Sequence, residues 1–269
     1  MFSNFSGKVG TIVGYTNKQS NNKQTQVVRS YQPVVRNPMT LAQATQRVKF
    51  APVFWTYRKL KAIIDRGQEG IEYGNRSRFA WLKKALSEYS GPWYEKGEMI
   101  TLPLKTNITR GSLQSIGIAD INDNTVISNL VYNPSDDVPI IGQYSETLLA
   151  QNSFLKEGDQ LTFVMFSDAG VYVKSFILST TNLTRIEGFS KVSEHFAFNF
   201  LPVTGATLIA SCVVLSREGK NGQNLRSTTA LTLTTAAAVD THYTSTAKDT
   251  AITSYMSSAT NTDWPEEQL

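Results

Sequence analysis

Residues 195–201 read His-Phe-Ala-Phe-Asn-Phe-Leu, so phenylalanine occupies every second position. Side chains along a β-strand point alternately to its two faces, which places Phe196, Phe198 and Phe200 together on one face. Three aromatic rings on one face are stabilised by burial against an apolar partner. The sequence therefore predicts a half-buried strand, with His195 on its solvent side.

Short runs of β-branched and aromatic residues, separated by turn residues, continue on both sides of this strand. The other predicted strands cover residues 99–105, 113–121, 125–132, 161–167, 171–178, 207–216 and 227–234. Many short strands with turn signals between them are typical of an antiparallel sandwich or barrel. We expect an α+β chain that is mainly β, with an antiparallel β-sandwich over residues 99–235.

Residues 1–98 differ from the sandwich region and begin with a predicted hairpin. Runs rich in β-branched residues at 9–15 and 26–31 flank the polar stretch 16–25. Two strand-like runs joined in this way indicate two antiparallel strands with a long connecting loop.

A basic helical segment follows the hairpin. Thr40 suits the N-cap of a helix, and from Leu41 the apolar residues recur at helical spacing. Pro52 lacks an amide donor, so we expect a kink or a break there. A second helix is predicted over residues 75–89. Its expected apolar side consists of Phe79, Leu82, Leu86 and Tyr89.

The last segment, residues 236–269, is rich in Ala, Thr and Ser and carries five acidic residues against one lysine. We interpret it as an acidic C-terminal arm that clasps another subunit. The candidate contacts are Tyr243, Tyr255 and Trp264. The alternative is a tail that packs on its own domain or stays disordered.

Composition excludes several classes of protein. The chain has 269 residues, is 41% hydrophobic and 18% charged, and contains one cysteine, Cys212. It is too apolar to be disordered throughout, and one cysteine excludes an internal disulfide and a cysteine-built zinc site. Neither a secretory signal nor a membrane span is visible in the sequence. We expect a location in a virion, or in the host cytoplasm during assembly.

Motifs that would carry chemistry are weak. The two histidines, His195 and His242, lie 47 residues apart, and the glycine-rich stretch 7–10 lacks the rest of a phosphate-binding loop. Residues 120–124 begin like a calcium loop, but the glycine and glutamate that it needs are absent, which favours a hairpin turn. We expect no catalytic residues, no metal, no cofactor and no small-molecule substrate, and therefore a protein that is not an enzyme.

The charge is distributed unevenly along the chain. Residues 1–100 hold 16 Lys plus Arg against 6 Asp plus Glu, whereas the whole chain has a net charge of +4. This asymmetry indicates an acidic partner for the N-terminal part, although solvated helix faces are an alternative. The candidate basic contact surface consists of Arg47, Lys49, Arg58, Lys59, Lys61, Arg66, Lys83 and Lys84. Interleaved Trp55, Tyr57 and Trp81 either stack on bases or are buried at core spacing.

Several segments together resemble a family of uncharacterised proteins from Bacteroidetes and their phages. They are GKVGTIVGY at 7–15, VVRS at 27–30, LAQATQRVKFA at 41–51, TRGSL at 109–113, LVYNP at 130–134 and VVLSREGKNGQNLRST at 213–228. The family is a domain of unknown function, so the resemblance implies no activity and assigns no functional residue.

Two hypotheses follow from these observations. The first is a non-enzymatic structural protein of a phage virion, associated with the capsid, portal or tail, which forms homo-oligomers and contacts other virion proteins. The second is a nonspecific nucleic-acid-binding protein that uses the basic helices, with packaged DNA as the partner. A carbohydrate-binding sandwich is a third alternative, which rests on fold class alone.

Overall fold

The computed structural model describes residues 7–9, 12–18, 24–30, 40–134, 139–202, 205–219 and 224–257. The chain divides into two compact units, residues 1–40 and 41–269. The domain boundaries predicted from the sequence lie after residues 98 and 235 instead. The basic helices, the later strands and the described part of the predicted arm therefore share one unit.

The N-terminal unit contains a three-stranded antiparallel sheet of β1 (Gly7–Val9), β2 (Ile12–Lys18) and β3 (Gln24–Ser30). The predicted antiparallel hairpin is confirmed for β2 and β3, whereas the run 9–15 is divided between β1 and β2. Pairing continues to Lys18 and Gln24, so part of the expected polar loop is strand. The sheet accommodates threonine and asparagine at these positions because their backbone amide and carbonyl groups are paired between β2 and β3. Residues 19–23 lie outside the described part.

The larger unit contains five α-helices in its described residues. They are α1 (Leu41–Ile64), α2 (Asn75–Ser87), α3 (Ile141–Gln151), α4 (Thr235–Ala238) and α5 (Ser245–Ser257), with a 3₁₀ turn at Thr241–Tyr243 before α5. The helix starts at Leu41 and Asn75 agree with the sequence prediction. The predicted kink at Pro52 is wrong, because the non-helical backbone lies at Leu60 (φ −110°, ψ 18°). A helix can continue through a proline when it forgoes one hydrogen bond.

The apolar side expected for α2 is partly wrong. Trp81, Leu82 and Ala85 are buried, whereas Phe79 is 59% exposed. The Arg78 guanidinium lies over the Phe79 ring at 4.6 Å. The tryptophan, which carries the larger apolar area, takes the core position.

The strands of this unit are β4 (Asn107–Thr109), β5 (Ile118–Asn122), β6 (Thr125–Val131), β7 (Gln160–Ser167), β8 (Gly170–Ile177), β9 (Phe189–Val192), β10 (His195–Phe198), β11 (Leu208–Glu218), β12 (Asn224–Arg226), β13 (Thr229–Ala230) and β14 (Thr232–Leu233). One sheet has the order β5-β6-β10-β9, and a second has β12-β11-β7-β8 with β14 also on β11. A short pair joins β4 and β13. All these pairings are antiparallel, which confirms a mainly β, α+β fold.

The second sheet is buried on both faces. Along β7, Phe163 and Met165 belong to one apolar cluster, and Val164 and Phe166 belong to another. The first cluster includes residues of β6, β10 and α3, and the second includes residues of α1 and α2. The sheet therefore separates two cores. The finer description of the strands as a sandwich stays a prediction.

The phenylalanine-rich strand β10 lies in the first of these cores. Phe196 and Phe198 are fully buried, and Phe163 lies 5.7 and 5.0 Å from their ring centroids. The predicted burial is therefore confirmed. His195 is half-buried rather than solvent-facing, and Ala197, on the same face of β10, is fully buried.

Three predicted strands are wrong in whole or in part, and the one at 227–234 is divided into β13, which pairs with β4, and β14, which pairs with β11. Residues 99–105 form no strand, although Leu102 and Leu104 are buried. The Tyr94 hydroxyl accepts hydrogen bonds from the amides of residues 101 and 102, which a neighbouring strand would otherwise satisfy. The strand expected at 113–121 begins only at Ile118.

The loop after α1 is fixed by the carboxylate of Glu69. Its Oε2 accepts from the amides of Arg226 (2.9 Å) and Ser112 (2.8 Å), and its Oε1 accepts from the Ser112 hydroxyl (2.7 Å). Burial alone would raise the pKa of Glu69, but these hydrogen bonds lower it. Next to this carboxylate, a Cβ on Gly111 would lie 2.1 Å from the Arg226 carbonyl oxygen. Three distant segments therefore meet at one carboxylate.

The described part of the predicted arm packs within its own unit. Ala251 and Ile252 of α5 are buried in a cluster with Ala44 and Val48 of α1. Tyr255 is packed at the edge of the same cluster. These contacts follow from the four-residue apolar spacing of the segment.

The other two candidate tail contacts have different outcomes. The Tyr243 hydroxyl donates to the carbonyl oxygen of Pro103 at 2.7 Å, inside the same unit. Trp264 lies outside the described residues. A contact of this segment with another subunit stays a prediction.

Candidate functional site

The interleaved aromatic residues of the basic segment are mostly core residues. Tyr57 and Trp81 are buried, and the Trp81 indole Nε1 donates to the Asn107 carbonyl oxygen at 2.9 Å. Trp55 is half-buried, with its ring 5.5 Å from that of Phe166. Burial, rather than base stacking, accounts for Tyr57 and Trp81.

The candidate basic residues lie on the outside of α1 and α2. Six of the eight are exposed, and Arg47 and Lys49 are half-buried. The exposed residues are Arg58, Lys59, Lys61, Arg66, Lys83 and Lys84. Since buried apolar residues occupy the opposite sides of both helices, this distribution is ordinary helix amphipathicity.

Some of these charges are compensated within the chain. Lys61 pairs with Asp65 at 2.7 Å, which raises the pKa of the lysine through this hydrogen bond. Lys84 pairs with Glu88 at 2.6 Å. Within the described ranges, no carboxylate lies within 4.0 Å of Arg58 or Lys83, so both charges are available to a partner.

Two exposed phenylalanines on α1 add an apolar element that the sequence analysis did not include. Phe50 and Phe54 are 42% and 40% exposed, and their rings stack with centroids 6.1 Å apart. Residues four apart share a helix face, so Phe50, Phe54 and Arg58 follow one another along it. We call Arg47, Phe50, Phe54, Arg58 and Lys61 the α1 outer face. It extends about 20 Å along the helix.

The signal for these phenylalanines was present in the spacing of α1. Ala44 and Val48 pack against α5, whereas Tyr57 and Ile64 pack with α2 and the second sheet. The buried side therefore rotates along the helix. This rotation leaves Phe50 and Phe54 outside both clusters.

A second cluster of ionisable groups surrounds His242. Its Nδ1 lies 2.5 Å from Asp240 Oδ1, and its Nε2 lies 2.7 Å from Glu98 Oε1. Burial alone would lower the pKa of His242, but the hydrogen bonds to Glu98 and Asp240 raise it. Both ring nitrogens face carboxylates, so the cluster favours the protonated imidazolium and joins the C-terminal segment to the loop before β4.

The remaining candidate motifs have structural roles. The calcium-like residues 120–124 form the β5–β6 hairpin, and Asp123 and Asn124 both have positive φ (45° and 66°). Two such residues are typical of a type I′ turn, so the hairpin interpretation is confirmed. Within the described ranges, no three His, Cys, Asp or Glu residues form a group that would hold a metal ion. No described helix has the length and apolar character to cross a membrane.

Comparison with known proteins adds no functional assignment. No family model, no curated protein and no solved structure matches the chain. The resemblance to the uncharacterised Bacteroidetes and phage family stays a prediction. The α1 outer face is therefore the main basis for a functional hypothesis.

Proposed function

We propose that this protein is a non-enzymatic structural protein that acts by docking onto other macromolecules, as a component of a phage virion. The observation that carries the proposal is the α1 outer face, where two stacked and exposed phenylalanines lie beside Arg58. Exposed apolar patches with charged rims mark interaction surfaces in soluble proteins.

The composition of the α1 outer face fits a protein interface. Aromatic residues and arginine are enriched in the centres of such interfaces, and they contribute most of the binding energy. Phe50 and Phe54 would supply the apolar centre, and Arg58 a cation without a carboxylate partner among the described residues. A repeated contact of this kind between copies generates rings or shells.

The proposal is tested by light scattering coupled to size exclusion on nuclease-treated, full-length protein over a series of concentrations. We expect oligomers that Phe50→Ser/Phe54→Ser converts to monomers while the circular dichroism spectrum stays unchanged. The matched control is Leu183→Ser, at a leucine that is 81% exposed outside α1. A wild-type protein that is monomeric at every concentration and absent from purified particles contradicts the proposal.

The predicted clasp needs a separate truncation. A chain ending at Ser257 removes residues 258–269, with Trp264, and keeps α5 intact. Ending the chain at Thr235 would remove the buried Ala251 and Ile252 and would expose part of α1. Loss of oligomers on truncation at Ser257 supports the clasp, and unchanged oligomers exclude it.

Nucleic-acid binding is a second candidate function, favoured by the exposed cations of α1 and α2. Backbone phosphates bind such cations with release of counterions, so affinity falls steeply with salt. We expect Arg58→Gln/Lys83→Gln to weaken oligonucleotide binding and to lower the slope of log K against log salt by about 0.7–0.9 per charge. The charge-matched control, Lys156→Gln/Arg185→Gln, lies outside these helices. Equal binding by the two double variants rejects the candidate.

A further inference from the structure

A small pocket lies between the end of α1 and the helix-facing side of the second sheet. Its volume is about 200 Å³. Ala62, Ile63 and Arg66 line it from the helix end, whereas β7, β8 and β12 line it from the sheet. It is distinct from the α1 outer face, because the phenylalanines of that face do not line it.

Two arginines and no acidic residue are among the described residues that line the pocket. Arg226 reaches it from β12, and Arg66 from the end of α1. Arg226 Nη1 donates to the hydroxyl of Ser216, a neutral acceptor, and its Nε is buried without a hydrogen-bond partner among the described residues. Glu69 accepts from the backbone amide of Arg226, and among the described residues no ion pair joins its carboxylate to the Arg226 guanidinium.

An uncompensated guanidinium in a partly buried site is costly. A buried cation is normally paired with an anion or fully hydrogen-bonded, since removal from water is unfavourable. Arg226 has neither arrangement in the described part of the chain. An anion from outside the chain would supply this partner.

Two residues with hydroxyl groups also line the pocket. Thr162 and Ser175 face each other on β7 and β8, and both line the pocket. Gln160 Nε2 donates to Ser175 Oγ at 3.4 Å, so the serine hydroxyl hydrogen is free to donate elsewhere. Two cations with neighbouring hydroxyl groups suit an anion that has several acceptor oxygens.

We propose that this pocket binds a phosphate group, held by Arg226 and Arg66 with Ser175 as an additional donor. Guanidinium groups match phosphate oxygens through parallel hydrogen bonds, and phosphate offers more acceptors than a carboxylate. The phosphate has two possible sources: a free phosphate compound or the end of a nucleic acid strand.

The experiment is isothermal titration calorimetry of the full-length protein with sodium phosphate, at ionic strength fixed with sodium chloride. We expect saturable binding that Arg226→Gln and Arg66→Gln each weaken about tenfold or more, since each removes charged hydrogen bonds. Arg185→Gln, an exposed arginine outside the pocket, is the control and binds as wild type. Acetate is the carboxylate control and binds more weakly.

Absence of saturable binding, or equal binding by wild type and both glutamine variants, overturns the proposal. Arg66 is exposed, so Arg66→Gln keeps the test valid if Arg226→Gln fails to fold. Phe50→Ser/Phe54→Ser retains phosphate binding, which separates this pocket from the proposed docking function.

A further arm identifies the source of the phosphate. The same titration is made with one single-stranded oligonucleotide, with and without a 5′-phosphate. A preference for the phosphorylated strand that Arg66→Gln removes assigns the pocket to a strand end. Equal binding of the two strands, with phosphate binding intact, assigns it to a free phosphate compound.

Discussion

Glu69→Gln tests whether a single carboxylate fixes the loop after α1. The glutamine is isosteric, and its oxygen can still accept from the amides of Arg226 and Ser112. The substitution removes the negative charge of the carboxylate. This charge strengthens each of the two hydrogen bonds by about 1 kcal/mol. Two such bonds give a destabilisation of about 2 kcal/mol. For a chain of this size, this corresponds to a fall in Tm of about 4–8 °C.

Thermal unfolding followed by circular dichroism measures this effect, with Glu72→Gln as the matched control. Glu72 lies three residues away and is exposed, with only an i,i+4 pair to Arg76. Loss of the Glu72–Arg76 pair changes the free energy of unfolding by about 0.5 kcal/mol or less. Glu69→Ala should lower Tm more than Glu69→Gln does, because it leaves two backbone amides without their acceptor. If Glu69→Gln and Glu72→Gln unfold at the same temperature, the reasoning is refuted.

The same variant has a defined pH dependence. The pKa of Glu69 is lowered in the folded protein, so its contribution is complete above its unfolded pKa of about 4.3. It is lost as pH falls through the lowered pKa of the folded state. The difference in Tm between wild type and Glu69→Gln should therefore be constant near neutral pH and should shrink in acid.

Two other predictions concern the C-terminal cluster and the cysteine. The pKa of His242 is raised in the folded protein, so its contribution to stability is complete below its unfolded pKa of about 6.5 and is lost as pH rises through the folded pKa. The pKa values of Glu98 and Asp240 are lowered, so their contributions are lost as pH falls in the acid range. The cluster should therefore raise Tm most between about pH 4.3 and 6.5, and His242→Gln should remove this increase. Identical profiles of Tm against pH for wild type and His242→Gln would contradict the prediction. Burial raises the pKa of the Cys212 thiol, so we expect no reaction with a thiol reagent until urea unfolds the protein. Rapid labelling without urea would show that Cys212 is accessible.

Local patterns predicted the helix starts and the buried phenylalanine strand well. Leu41 and Asn75 begin helices as predicted, because apolar spacing acts within a few residues. Phe196 and Phe198 are buried because alternation along a strand is equally local. Such features are decided by neighbours in the sequence, so they are visible in it.

Features decided by distant residues were missed. Residues 99–105 have the composition of a strand, but two of their amides bind the Tyr94 hydroxyl instead of a neighbouring strand. Phe79 is exposed because Trp81 occupies the core position beside Tyr57. Propensity alone cannot decide such competition between residues.

The candidate surface was only half visible in the sequence. Lysine and arginine on amphipathic helices are normally exposed, so the basic residues could be identified. The exposure of Phe50 and Phe54 depends on which side of α1 meets α5, and Arg66 meets Arg226 only after β12 has joined the sheet. These juxtapositions depend on tertiary structure.

The packing of α1 also affects the protein during its synthesis. Its apolar side is covered by Cys212 and Val214 of β11 and by Ala251 and Ile252 of α5. These residues leave the ribosome about 150–190 residues after the helix ends, which corresponds to about 10–40 s of translation. Throughout that interval, α1 lacks the apolar partners that β11 and α5 supply, whereas α2, which follows α1 directly in the chain, is the nearer partner of Val53 and Leu60. The apolar clusters around α1 are therefore completed only after residues 212–252 have been synthesised.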